Sequence, residues 1–196
     1  MAITVDKKTG ILVGIIAVLA LGIVFLLAGN SGEPMDHSGH GSSSKEESSS
    51  KYSADEIMFA QMMIPHHEQA VTMSELAFAN TANPEVLALA TAIRDGQAPE
   101  IIQMQAWIGD SKGHDGHNHD MEMSGMLNDE DLETLASLKG EAFDQLFLTS
   151  MIAHHEGALD IVDMIKNSTN SEVSTLAANI VKSQSAEIEA MKALLK

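Results

Sequence analysis

The chain has 196 residues, room for one domain with accessories. Its net charge of −17 leaves no basic footprint for phosphate, which excludes a nucleic-acid binder. With no Cys there is no disulfide and no thiolate ligand, and with 4% aromatics and 13 Met the core is aliphatic and thioether-rich, which suits packed helices better than a sandwich.

Residues 1–10 read as a short cytoplasmic tail bearing Lys7 and Lys8. Residues 11–28 carry no charged or polar side chain. As a helix they rise ~27 Å, close to the hydrocarbon thickness of a bilayer. The basic flank keeps the N-terminus inside and sends the rest across. The reading is a single-pass anchor in the cell membrane with an extracytoplasmic C-terminal domain. A cleaved signal peptide, giving a secreted or periplasmic protein, is the competing reading. Leu26-Leu27-Ala28 is a poor cleavage site, which favours the anchor. Residues 29–52 are a Gly/Ser-rich tether. Met35, His37 and His40 lie in it, where a thioether has nothing to pack against.

From Ser53 the pattern turns helical. Phe59, Met63, His66, Ala70, Met73 and Ala77 step by 4 and 3, and Ala60, Ile64, His67, Val71, Ser74 and Phe78 form the adjoining stripe. Ser53 and Glu56 form a capping box at its start. Asn80 to Pro84 breaks this helix and opens the next. The second helix carries Val86, Ala90, Ile93, Gln97, Glu100, Met104 and Trp107 on one face and ends at Gly109. Residues 109–128 form a polar loop containing His114, His117, His119, Met121, Met123 and Met126. A structureless loop of this length in a compact domain is functional or disordered as a rule.

Asn128 and Asp129 cap a short helix leading to Gly140, and then the pattern repeats. Phe147, Met151, His154, Ala158, Ile161 and Ile165 copy the first stripe, and Val173, Ala177, Ile180, Gln184, Glu187, Met191 and Leu194 copy the second. The expected fold is all-α: a four-helix bundle over 53–196, made of two repeated helical hairpins, plus the N-terminal transmembrane helix.

The centre of each copy is a hexapeptide, Met63-Ile64-Pro65-His66-His67-Glu68 and Met151-Ile152-Ala153-His154-His155-Glu156. Folding each hairpin about its turn sets His66 level with Gln97 to Glu100 and His154 level with Gln184. Met63 then faces Met104, and Met151 faces the Glu187 to Met191 stretch. One layer per hairpin is expected, each gathering His, Gln and Glu, with Met a turn away. A buried Glu can hold a buried His for packing alone. Two such layers are costly, however, unless a ligand satisfies them.

The donor types select that ligand. Thioether and imidazole together favour Cu(I), or its mimic Ag(I), over magnesium, calcium or zinc. A ferritin-like di-iron centre uses Glu-x-x-His; this chain has Met-x-x-His at the same spacing. Pro65 and Pro99 fall inside helices, where proline frees a carbonyl and bends the axis. Met58, Met73 and Met164 read as core filler, and Met62 fits either role. The tether and loop clusters read as flexible copper-capturing segments.

The two segments Met63 to Ala70 and Met151 to Ala158 resemble the signature of the family known as domain of unknown function 305. The segments Gln97 to Trp107 and Gln184 to Met191 resemble its second-helix pattern. The resemblance covers about residues 53–196. It implies a ferritin-like bundle outside the cytoplasm and copper binding linked to copper tolerance. It carries over Met63, His66, His67 and Met104, with Met151, His154, His155 and Met191, as ligands. Leu194 stands where the first copy has Trp107, so the two copies are expected to differ.

The leading reading is a membrane-anchored protein that binds copper for tolerance or trafficking, not an enzyme, with a copper-handling protein as its natural partner. Glu100 and Glu187 beside the His residues count as further candidate ligands. They also sustain a second reading, a metalloenzyme that oxidises or reduces a metal ion. A third is a structural bundle whose polar layers serve packing alone.

Overall fold

A computed structural model describes residues 51–110 and 123–195. The apolar run 11–28, the tether sites Met35, His37 and His40, and the loop residues His114, His117, His119 and Met121 lie outside them. Among the described residues no helix is long and apolar enough to cross a membrane.

The described residues are all-α, and every long helix but the one starting at Gly140 begins where a side chain can satisfy its free amides. Helix α1 is Ala54–Asn80. Ser53 accepts from the Glu56 amide while Glu56 accepts from the Ser53 amide, as the spacing predicts. Thr81 is extended and ends it. Helix α2, Pro84–Asp110, starts with Asn83 accepting from the Glu85 amide. Pro65 and Pro99 sit inside continuous helices. Helix α3, Asp129–Ser137, is capped by Asn128 and is a short addition to the four long helices. Helix α4, Gly140–Val162, runs into one 3-10 turn at Asp163–Ile165, and Asn170 caps α5, Ser171–Leu194.

Helices α1 and α2 pair along their length, as do α4 and α5, and the two hairpins meet chiefly through α1 and α4. Those two helices are antiparallel. Met63 packs in one apolar cluster with Ala158 and Ile161, and Ala70 and Met73 pack in the other with Phe147 and Met151. Side chains tie the hairpins at both ends. Trp107 Nε1, the Tyr52 hydroxyl and Lys51 Nζ all donate to the Glu172 carboxylate, at 2.9, 3.0 and 2.8 Å. At the opposite end Asn83 Nδ2 donates to Asp144 at 3.0 Å, and Lys139 donates to Asn80.

The 4–3 steps hold along both second-helix stripes. Val86, Ala90, Ile93, Gln97, Glu100, Met104 and Trp107 are all buried, as are Val173, Ala177, Ile180, Gln184, Glu187 and Met191. Two methionines expected in the core are on the surface instead: Met58 is 47% and Met164 41% exposed. Both sit one step outside the buried stripes, and helical rotation of about 100° per residue carries them into solvent.

Candidate metal centre

His66 and His154 occupy equivalent places on α1 and α4. Because these helices run in opposite directions, the two imidazoles meet at a tilt between the hairpins. Their ring centroids are 3.8 Å apart, with planes inclined at 43°. Neither ring touches bulk water, at 0% and 1% exposure. The two layers expected, one per hairpin, are therefore joined into a single shared centre.

His67 and His155, one residue on, turn about 100° away and face their own hairpin partners. His67 Nε2 donates to Glu100 Oε2 at 2.9 Å, and His155 Nε2 donates to Glu187 Oε2 at 2.7 Å. Donation through Nε2 leaves the lone pair of a neutral ring on Nδ1. In both residues that Nδ1 is buried and unpartnered. His66 Nε2 lies 3.3 Å from the Ser124 carbonyl, and its Nδ1 is likewise unpartnered. Among the described residues neither His154 nitrogen makes a hydrogen bond of good geometry; the His66 backbone is its one weak polar contact.

Buried polar atoms in native proteins are overwhelmingly hydrogen-bonded, because an unpaired one forfeits its hydration. Five unpaired ring nitrogens on four adjacent imidazoles break that rule together. At His66 and His154 a proton does not relieve them. Burial, then the neighbouring rings His67 and His155, push His66 down to about 3 despite the Ser124 carbonyl. Burial, then His66, His155 and His67, hold His154 well below the usual imidazole range. These are neutral donors with their lone pairs available near neutral pH. Neutral imidazole is the form that ligates a metal.

The carboxylates orient the rings. Glu100 and Glu187 are engaged with His67 and His155, the arrangement by which an outer carboxylate fixes the tautomer of a metal-binding imidazole. Among the described residues no three or more His, Asp or Glu side chains converge as a metal-holding group. The buried donors are imidazoles, with thioethers in the two apolar clusters. Met63 and Met104 are fully buried in the apolar cluster on one side of the imidazole layer, Met151 and Met191 in the cluster on the other. Gln97 and Gln184, also buried, have unpaired amide atoms.

Segment 123–127 lies across α1 and α4 beside the His66 and His154 pair. Met123 and Met126 within it are half-buried. A turn in which the Met126 amide donates to the Met123 carbonyl, at 3.2 Å, joins them. Sequence reasoning missed Gln69 here. Its side chain donates to the Leu127 carbonyl at 2.8 Å and accepts from the Leu127 amide at 2.7 Å. The signal was present, since Gln69 matches Gly157 in the second copy and the two residues could not be less alike.

The model of the family described as "Domain of unknown function (DUF305)" matches residues 56–195. The chain belongs to the DUF305 family. A DUF305 protein of Streptomyces coelicolor, a candidate secreted protein, is 32% identical with a TM-score of 0.65, over 73% of this chain and 92% of that one. A DUF305 fragment from Deinococcus radiodurans is 30% identical with a TM-score of 0.67, over 73% and 96%. CopM in its Cu(I)-bound form is 31% identical with a TM-score of 0.62, over 71% and 94%. CopM structures with Ag and with Cu(II) align similarly. No curated protein matches the chain.

Proposed function

We propose that this DUF305 protein binds Cu(I), with Ag(I) as its mimic, in the shared core of the two hairpins. It does so as an extracytoplasmic, membrane-anchored protein serving copper tolerance or trafficking. The observation that carries the reading is the His66–His154 pair with its unpaired nitrogens. Two buried neutral imidazoles in contact, lying between thioether-bearing clusters, form a soft donor set. Solved forms of CopM with Cu(I), Cu(II) and Ag support copper or silver as the ion in this family. His66 and His154 are the central ligands of this reading. His67 and His155 add donors through Nδ1, and Met63, Met104, Met151 and Met191 supply thioethers. Met35, His37, His40, His114, His117, His119, Met121, Met123 and Met126 capture or pass on the ion.

The role is binding rather than turnover. The carboxylates that a ferritin-like oxidase would use as ligands, Glu100 and Glu187, are occupied with histidines. The apolar run 11–28 supports the anchor, and the secreted description of the Streptomyces relative supports export. The ferritin-like bundle built by duplication is the architecture that fits the two matching hairpins.

The test is anaerobic titration of the domain with Cu(I) and Ag(I) against a competing chelator. Tight uptake that disappears in the His66→Ala, His154→Ala double variant is expected. Equal uptake by that variant overturns the site. Absence of any rise in thermal stability with either ion would favour a purely structural bundle, since a ligand of the native state must raise it.

A further inference from the structure

The two copies of the motif diverge most sharply at Gln69 and Gly157, and the structure gives both residues to one task. The Gln69 amide clasps the backbone of Leu127 with two hydrogen bonds, at 2.8 and 2.7 Å. A side-chain amide that pairs both ways with one peptide fixes that peptide's position and orientation. On α4, a Cβ at Gly157 would run into the Ser124 carbonyl. Glycine weakens a helix interior, so its presence there needs a reason, and close approach of another backbone is such a reason. At Gly125, φ is +80° and a Cβ would strike the Ala153 carbonyl and His154 Cα. Three positions on three segments are thus cut to let 123–127 lie flat over the crossing of α1 and α4.

Beneath it lies the imidazole pair. The Ser124 carbonyl accepts from His66 Nε2 at 3.3 Å, a long bond. Among the described contacts the segment's backbone is held by this bond, by the Gln69 clasp and by its own Met126-to-Met123 turn. None of these belongs to a helix backbone, so the segment can lift without breaking the helices.

We propose that Met123–Leu127 is a strap that closes the His66–His154 centre, and that Gln69 is its latch and a positioning residue of the site. A soft monovalent cation enters and leaves by way of the lifted strap. The inference rests on the copper-binding reading, but the latch has a metal-free signature as well.

The experiment compares wild type with Gln69→Ala by two measurements. Hydrogen exchange without metal reads the latch: the Leu127 amide, which donates to Gln69, exchanges at least tenfold faster in Q69A, while amides inside α1 and α4 are unchanged. Stopped-flow loading of Ag(I), and its removal by excess chelator, reads the gate: both rates rise at least tenfold at unchanged stoichiometry. Gly157→Ala, which forces the strap off α4, gives the same pattern by an independent route. If wild type takes up no Ag(I), the copper reading fails. If it takes up Ag(I) and both variants load and release at wild-type rates, the strap is not a gate. Equal Leu127 exchange in Q69A and wild type removes the latch.

Discussion

The two hairpins share a donor inventory and differ in how each is dressed. Each has its Met-x-x-His-His-Glu run, a carboxylate on the facing helix and a Met beyond it. His67–Glu100 and His155–Glu187 have nearly the same geometry. The differences gather at the outer face and the ends. His66 has the Ser124 carbonyl as a partner, whereas His154 has only a weak contact with the His66 backbone. Gln69 holds the strap where Gly157 makes room for it. Trp107 spans the hairpins to Glu172, whereas half-buried Leu194 is only a packing residue on the other cluster. A symmetric pair of binding elements thus carries an asymmetric cover. On the proposed function, the inner residues would answer to the ion and the outer ones to its traffic.

The hardest way to break this picture is to remove one half of the pair. With His66 and His154 3.8 Å apart, a bound ion would draw on both hairpins at once. Either single change, His66→Ala or His154→Ala, is therefore expected to abolish high-affinity Cu(I) uptake. Two independent sites would instead leave half the stoichiometry, which a chelator-competition titration would read directly.

Next in size are the orienting carboxylates. Glu100→Gln and Glu187→Gln each keep the shape and lose the charge that fixes the imidazole. Loss of such a partner typically lowers metal affinity ~10–100-fold. The two variants should be matched in effect, because the two bonds are matched in length. A large effect from only one would show that the hairpins contribute unequally to the ion.

Acid comes third. The folded state keeps His66 at about 3, while an unfolded imidazole titrates near 6.5. Below that value the unfolded chain binds the extra proton, so stability rises with pH across the window. The contribution is present in full above pH ~6.5 and is lost as pH falls toward the folded value. At pH 5 His66 alone costs the metal-free domain about 2 kcal/mol relative to pH 7. His154 acts in the same direction. Urea melts of wild type and His66→Gln at pH 7 and 5 test this; the variant should lose part of the slope. Equal slopes would mean that His66 protonates freely in the fold.

Much of this was legible in the sequence, for a physical reason. Helical period and caps are local properties, so the stripes, the Ser53 box and the turn before Pro84 could be read directly. The fold-back count also put a Glu opposite each His pair. It did not reveal which His the Glu would take, because adjacent residues differ by about 100° around the axis. Nor could it show His66 against His154. That contact depends on how α1 crosses α4, which neither hairpin encodes alone. Met58 and Met164 failed for a related reason: a residue beside an apolar stripe is core or surface according to the width of the partner helix. Gln69 and Gly157 escaped notice because their reason lies in a segment at least 30 residues from either in the chain.

The smallest effect sharpens the comparison furthest, because it separates sulfur from volume. Met63 and Met151 are fully buried in opposite apolar clusters. Met→Leu is nearly volume-conserving and usually costs less than ~1.5 kcal/mol in a core. Met63→Leu and Met151→Leu should therefore leave the fold intact, as thermal melts would show. Whatever they change in ion preference then belongs to the thioether. If sulfur ligates, each variant weakens Cu(I) and Ag(I) while leaving any Zn(II) binding through the imidazoles unaltered. If only one does so, the ion leans toward one hairpin and the asymmetry reaches the centre. If neither does, imidazole holds the ion without sulfur, and the Met-x-x-His spacing records helix packing rather than ligation.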